Sequence, residues 1–225
     1  MRYFVIEGVD TSGKSTHWNL LATRIQNARI NPLSQVNTSY ISPNDVIFIQ
    51  EPSNLPLGKR VRDMILHENI TNDDMSRFLL FLAQRAELIQ YYKSLPNIVI
   101  SDRSLISGIA YKGIDSIISI KQALDINLIA TRNILPEKIV FLKLSYDEII
   151  KRLKKKMELN NTAKDHIELK GAKYLYDIQL QFEQILQEIS LYARSKDINI
   201  NILELDASYS KEILHNEIRL FFGVS

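Results

Sequence analysis

Residues 8–15 read Gly-Val-Asp-Thr-Ser-Gly-Lys-Ser, the spacing G-x-x-x-x-G-K-[ST]. Glycines at both ends let the backbone curl until several N–H groups point inward at one phosphate. A helix opening at Lys14 adds the partial positive charge of its N-terminus. Lys14 then offers a mobile cation to a transferred phosphoryl group, and Ser15 a hydroxyl to Mg2+. The flanks agree. Tyr3-Phe4-Val5-Ile6 is an apolar, β-prone run, and Trp18, Leu21, Ala22 and Ile25 have helical spacing. Strand, glycine loop and helix is the context that gives the motif meaning. Gly8, Val9, Asp10, Thr11, Ser12, Gly13, Lys14, Ser15 and Thr16 therefore form the candidate cradle for a nucleoside triphosphate.

Four more groups of residues carry possible chemistry. Asp10 puts a carboxylate inside an anion-binding loop, where it repels phosphate unless another group uses it; the plainer reading is a loop cap. Phe81 and Arg85 are four residues apart, so they share one helix face. An aromatic plane beside a guanidinium suits a base that is stacked and hydrogen-bonded. The alternative is Phe81 in the core and Arg85 as a solvated charge. Asp102-Arg103 directly follows the apolar run Ile98-Val99-Ile100. Ligand groups gather at such carboxyl ends in open α/β sheets. There Asp102 suits the Mg2+ shell and Arg103 an acceptor phosphate, or the two form a structural ion pair. Lys151, Arg152, Lys154, Lys155, Lys156 and Lys164 make a basic run with one acid, Glu158. It reads either as a lid over a triphosphate or as a solvated helix face.

The elements that must hold these groups follow from periodicity. The first helix is expected to run to about Arg29, and residues 31–45, with Pro32 and Pro43, to form a loop carrying at most a short strand or turn. Further strands are expected at Val46–Ile49, Asn97–Ser101, Lys138–Leu144 and Asn199–Leu205. Helices are expected at Leu57–His67, from an Asn72 or Asp73 cap to Lys93, at Ile117–Asn133, from Tyr146 to about Met157, from about Asp165 to Arg194, and from a Ser208 or Ser210 cap to Phe221. This alternation predicts a five-stranded parallel sheet with helices on both faces and a small lid at about 151–164, one domain over 1–225. The chain has 225 residues, 45% of them hydrophobic, and a net charge of +2, which demands neither nucleic acid nor an anionic membrane as partner. Absence of cysteine excludes disulfide and thiol chemistry and is compatible with the cytosol. A first strand at residue 2 or 3 leaves no room for a signal peptide, and no apolar run approaches the ~18 residues that span a bilayer.

With these landmarks placed, the chain resembles the thymidylate kinases of the nucleoside-monophosphate kinase fold, over nearly its whole length. The resemblance rests on GVDTSGKS at 8–15, EPSNLPLG at 51–58, FLAQR at 81–85, SDRSLISGIAY at 101–111, and DHIE at 165–168 after a basic stretch. It implies a P-loop three-layer fold and transfer of the γ-phosphate of ATP to dTMP, giving dTDP and ADP with Mg2+, in a cytoplasmic homodimer. It also implies roles. Asp10 would accept the 3′-hydroxyl, Phe81 would stack on thymine, and Arg85 would reach its 4-oxygen. Tyr111 would lie against the sugar, and Arg103 and Arg62, with Lys59 nearby, would face the acceptor phosphate. Glu51 and Gly108 complete the acceptor region 51–111. Ser15 and Asp102 would hold the metal, with Lys14, Asp102, Arg103 and Arg152 as the catalytic set. Asp165 and Glu168 match the acidic pair after the lid, and Asp206-Ala207-Ser208 the loop along adenine.

Two departures matter. Gln50 stands where a basic residue commonly precedes the Glu-Pro pair, and Thr11 where some relatives place an arginine. Charge for the transferred group must then come from the lid, where Arg152 is the one guanidinium. A deoxynucleoside kinase is the nearest rival, since Asp102-Arg103-Ser104 suits it too. It would need a general base, and Glu51 stands in place for one. A nucleotide-binding regulator without turnover is the rival from another class; a GTPase would want an Asn-Lys-x-Asp guanine reader, which the sequence lacks.

Overall fold

A computed structural model describes residues 1–32, 41–68, 70–71, 73–112, 117–159 and 171–224, apart from the side chains of residues 66, 67, 157 and 159. In chain order the elements are β1 (Arg2–Gly8), α1 (Lys14–Arg24), β2 (Ala28–Ile30), β3 (Val46–Gln50), α2 (Pro56–Arg62), α3 (Asp74–Tyr92), β4 (Ile98–Asp102), α4 (Leu105–Ala110), α5 (Ile120–Ala130), β5 (Lys138–Lys143), α6 (Tyr146–Leu159), α7 (Gly171–Ser195), β6 (Asn201–Asp206) and α8 (Lys211–Phe222). The described strands form one parallel sheet in the order β2-β3-β4-β1-β5-β6.

The sheet has six strands, not the expected five. The extra one is β2, three residues paired with β3 through Ala28↔Val46 to Ile30↔Phe48. Its sequence, Ala-Arg-Ile, carries no strand signal of its own. Only the neighbouring edge of β3 makes it a strand, a tertiary effect that overrides local preference. For the same reason α1 stops at Arg24, where Ile25 turns extended to feed β2. The stretch Leu57–His67 begins one residue early, with Pro56 in the first turn, and finishes as a single π-helical turn at Asp63–His67. Helix α4 was not expected: six residues are too few to show a period. Helix α5 is shorter than expected because Ser119 and Gln122 close a reciprocal capping box at its start. Asp73 caps α3 by accepting from the Ser76 N–H at 2.7 Å, and Ser210 caps α8.

Both faces of the sheet are covered, so its central strands β3, β4, β1 and β5 are apolar along most of their length, while the edge strands β2 and β6 are not. Successive side chains of β1 point to opposite faces. Phe4 stacks on Phe222 of α8 with ring centroids 5.3 Å apart, on the face shared by α1 and α8. On the other face, Phe141 of β5 stacks on Phe182 of α7 at 5.5 Å, beside α3, α4 and α5. Within α3, Phe78, Leu82 and Ile89 are buried in the chain's own core, while Leu79 stays half exposed. The basic run begins as ordinary helix in α6. Lys164, Asp165 and Glu168, with the rest of the lid, lie outside the described residues.

What this architecture does for chemistry is set by register. Ile6 and Gln50 both pair with Asp102, and Gly8 pairs with Leu142. The carboxyl ends of β1, β3 and β4 therefore finish level. They place the loop from Gly8, the Glu51-Pro52 segment and Asp102-Arg103 side by side at one edge.

Candidate active site

The loop after β1 is shaped for an anion. Gly8 has φ 147°, and a Cβ there would stand 2.6 Å from the Leu142 carbonyl oxygen, so only glycine fits. Lys14 is buried, with Nζ donating to the Val9 carbonyl at 2.8 Å across the loop. Burial, then the nearby Arg103 charge, pulls its pKa down to about 8. An arriving phosphate would restore the charge fully. Ser15 Oγ donates to Asp102 Oδ2 at 2.5 Å, while the buried Asp102 Oδ1 has no partner among the described residues. A hydroxyl beside an orphaned carboxylate oxygen is a hard-oxygen donor set, which suits Mg2+.

Beside the loop lies a cleft of about 270 Å³, lined among others by Asp10, Arg62, Phe81, Arg85, Arg103 and Tyr111. Glu51 and Gly108 line it as well. The expected acceptor residues thus converge. At its mouth Arg103 ion-pairs with Asp10, donates to Ser107 Oγ at 3.1 Å, and lies over the Tyr111 ring at 5.4 Å from the centroid. Burial works against its charge, but Asp10, Tyr111 and Asp102 more than offset this and raise its pKa. Burial likewise disfavours the Asp10 anion, but Arg103, Lys14 and Lys156 together lower its pKa. Arg62 donates to the Pro52 carbonyl at 2.9 Å. Its guanidinium charge is held at that wall, close enough to Arg103 for the two to repel. Gln50, at the position of the missing basic residue, is 3.3 Å from Asn54 Oδ1 and does not line the cleft.

Arg85 sits at the cleft's deep end, 2% exposed. It is no solvated charge. Nε and Nη2 hold Glu51 Oε2 at 2.8 and 2.6 Å, Nη1 donates to Asn127 at 2.9 Å, and Nη2 donates to the Ser104 carbonyl at 3.1 Å. A guanidinium has five N–H donors, so one, on Nη1, is left for a ligand. Glu51 Oε2 carries the ion pair, while its buried Oε1 has no partner among the described residues. Phe81 is half-buried on the same helix face and presents its ring to the cleft.

The basic run divides by face. Lys151, Lys154 and Lys155 are exposed and behave as the solvated face. Arg152 turns inward: Nη1 donates to the Thr11 carbonyl at 3.1 Å and Nη2 to the Ala207 carbonyl at 2.6 Å, with Nε held by Glu148 at 2.9 Å. Lys156, four residues on, lies near enough to Asp10 to affect its charge. Arg152 thus already stands at the phosphate loop, next to the residue that replaces an in-loop arginine.

The family model described as Thymidylate kinase matches residues 6–218. The thymidylate kinase of Aliarcobacter butzleri is 36% identical over 225 residues, covering 99% of each chain. That of Helicobacter pylori strain 26695 is 34% identical over 223 residues, covering 97% of each. This chain belongs to the thymidylate kinase family. A solved Candida albicans thymidylate kinase has the same fold, with a TM-score of 0.65 and 21% identity over 99% of this chain and 91% of that one.

Asp74, Arg77 and Tyr174 line the cleft and escaped the sequence reading, as did Asn127, which accepts from Arg85. The first two lie N-terminal to Phe81 on α3, and Arg77 is 3.7 Å from Asp74. Their spacing of seven and four from Phe81 put them on its face, a signal that was present. Tyr174 and Asn127 come from α7 and α5, distant in sequence, and nothing local marked them.

Gly108 gives the cleft its tightest constraint. A Cβ there would lie 2.8 Å from Arg85 Nη2 and 2.9 Å from Nη1. Arg85 cannot swing aside without breaking its ion pair with Glu51. Gly108→Ala is expected to raise the acceptor KM by about tenfold at unchanged ATP KM, and to cost about 1–3 kcal/mol of stability as overpacked sites do. Steady-state kinetics and thermal melts check this; an unshifted acceptor KM would remove Arg85 from recognition.

Proposed function

We propose that this chain works as its family does, transferring the γ-phosphoryl group of ATP to dTMP to give dTDP and ADP. The observation that carries this reading is the convergence, at one sheet edge, of a triphosphate loop with a cleft holding a buried arginine, an aromatic plane and a second arginine at its mouth. The triphosphate lies on the loop, with Lys14 against its β and γ oxygens. The acceptor's base lies between Phe81 and the free N–H of Arg85. That donor suits the 4-oxygen of thymine and opposes the amino group of cytosine. Its sugar meets Asp10 and Tyr111, and its phosphate meets Arg103 and Arg62. Arg103 exchanges a carboxylate partner for a phosphate, a swap between anions.

The acceptor phosphate is already an anion near neutral pH, so attack on the γ-phosphorus needs positioning and charge neutralisation rather than a strong base. Mg2+, held by Ser15 and Asp102, supplies charge neutralisation at the donor phosphates when bound. A coupled ADP-release assay across the nucleoside monophosphates tests the whole reading. Turnover is expected to be greatest with dTMP, to fall with dCMP, and to stop on chelation of divalent metal. Faster phosphorylation of thymidine than of dTMP would overturn it.

Arg152 takes the place of the missing loop arginine in this scheme, because its guanidinium already lies against Thr11. Arg152→Ala is expected to lower kcat by on the order of a hundredfold, with either KM within about threefold, as loss of a transition-state contact does. Lys154→Ala on the exposed face should leave kcat unchanged. Equal kcat in both variants would place the charge elsewhere.

The working assembly is a homodimer in the cytoplasm. Supporting it, Leu79 on α3 is 51% exposed and Tyr91 48%, on a helix that already buries Phe78, Leu82, Leu88 and Ile89 in the chain's own core. Among the described residues no helix is long and apolar enough to cross a membrane. Sedimentation at micromolar concentration should show about twice the 26.0 kDa chain mass. A single 26.0 kDa species would refute the dimer.

A further inference from the structure

Strand β1 holds a charged residue where an apolar one is expected. Glu7 is fully buried, on the face of the sheet opposite Phe4, one residue before the phosphate loop. None of the functions described above uses it. A buried carboxylate persists only if its oxygens are satisfied. Here the partners all come from one short element. Ser104 Oγ donates to Oε1 at 2.6 Å, Ser107 Oγ donates to Oε2 at 2.6 Å, and the Ser107 N–H lies 3.4 Å from Oε1. Both hydroxyls are also acceptors: Ser104 Oγ takes the Ile106 N–H at 3.2 Å, and Ser107 Oγ takes Arg103 Nη1 at 3.1 Å.

The direction of each hydrogen bond is thereby fixed. A hydroxyl has one proton. Because Arg103 can only donate, Ser107 must accept from it and give its own proton to Glu7. Because a backbone N–H can only donate, Ser104 does likewise. The carboxylate is the end of both chains, and it must be an acceptor at both oxygens. The pKa of Glu7 is raised by burial, an effect only partly opposed by these two serines and by the Arg103 and Lys14 charges.

The two chains end at the two acceptor-facing arginines. Through Ser107, Glu7 reaches the guanidinium of Arg103. Through Ser104 it holds the residue whose carbonyl receives Arg85 Nη2 at 3.1 Å. Arg103 needs such support. Its φ is 75°, the left-handed region that arginine rarely adopts, so its orientation is over-determined by neighbours rather than by its own backbone preference.

We propose that Glu7 is a positioning residue for acceptor recognition, anchoring the first turn of α4 so that Arg103 and Arg85 both face the acceptor. It touches no substrate and acts through Ser104 and Ser107. The proposal rests on the dTMP-kinase reading, and wild-type turnover on dTMP tests that reading separately.

The test is steady-state kinetics in both substrates for wild type, Glu7→Gln, Ser107→Ala and the double variant, with a thermal melt of each. Gln keeps the shape of Glu but offers one acceptor oxygen and an NH2 that faces a hydroxyl already committed to Arg103. Glu7→Gln is expected to raise the dTMP KM by about tenfold, equivalent to about 1.4 kcal/mol, while the ATP KM stays within about twofold. Ser107→Ala should reproduce the split, because it cuts the same chain. The double variant should be no worse than the poorer single, since a chain can be broken only once. Ser107→Ala, which removes one hydroxyl, decides the matter if Glu7→Gln does not fold. A lowered melting temperature with both KM values unchanged would make Glu7 purely structural and overturn the proposal. So would an equal rise in both KM values, or fully additive effects in the double variant.

Discussion

The governing constraint of this molecule is electrostatic. Its cleft brings several arginines close together, and the chain must stay folded with those charges there. Each cation is therefore matched in the free protein: Arg85 with Glu51, Arg103 with Asp10, and Arg77 near Asp74, while Arg62 leans on a carbonyl. The pairs differ in kind. Glu51 and Arg85 are both 2% exposed, and separating them would strand two charges in the interior. That pair is permanent, and it defines the floor of the cleft. Asp10 and Arg103 are partly open to solvent, at 19% and 23%, so a competing anion can reach the arginine. Permanence at the floor and exchangeability at the mouth suit a ligand that enters base first.

The same logic explains why α4 is so short and so tightly held. Six residues cannot be stable as a helix on their own. Its order comes from packing on the sheet and from the serine hydroxyls that point back at β1. Arg103 donates to Ser107 of this element and Arg85 to the carbonyl of Ser104, which caps it, so the accuracy of the cleft depends on hydrogen bonds outside it. Precision at a binding surface is a property of what lies behind that surface.

Much of this was legible before the coordinates. The phosphate loop announced itself because its spacing is a physical requirement of wrapping a phosphate. Phe81 and Arg85 were found because helical spacing alone makes them neighbours. Strand β2 was not legible, since Ala28–Ile30 becomes a strand only when β3 is beside it. Nor was the state of Arg85: sequence could suggest a free guanidinium or a surface charge, and the truth is a buried arginine with four of its donors engaged by residues 34, 19 and 42 positions away. Glu7 is visible as an acid directly after the run Tyr3-Phe4-Val5-Ile6, but its meaning requires two serines that only the fold brings near. Local periodicity finds elements; long-range polar pairing is invisible to it.

Arg152 shows how timing can be built into a fold. Its guanidinium rests on the carbonyls of Thr11 and Ala207, two neutral acceptors from different loops. Water has therefore left much of that charge during folding, long before any nucleotide arrives. When an anion takes the place of those carbonyls, one set of hydrogen-bond acceptors is exchanged for a stronger one, with little rearrangement of solvent. Under the role proposed for Arg152, the cost of drying the cation falls in the one-time event of folding and not in the turnover cycle.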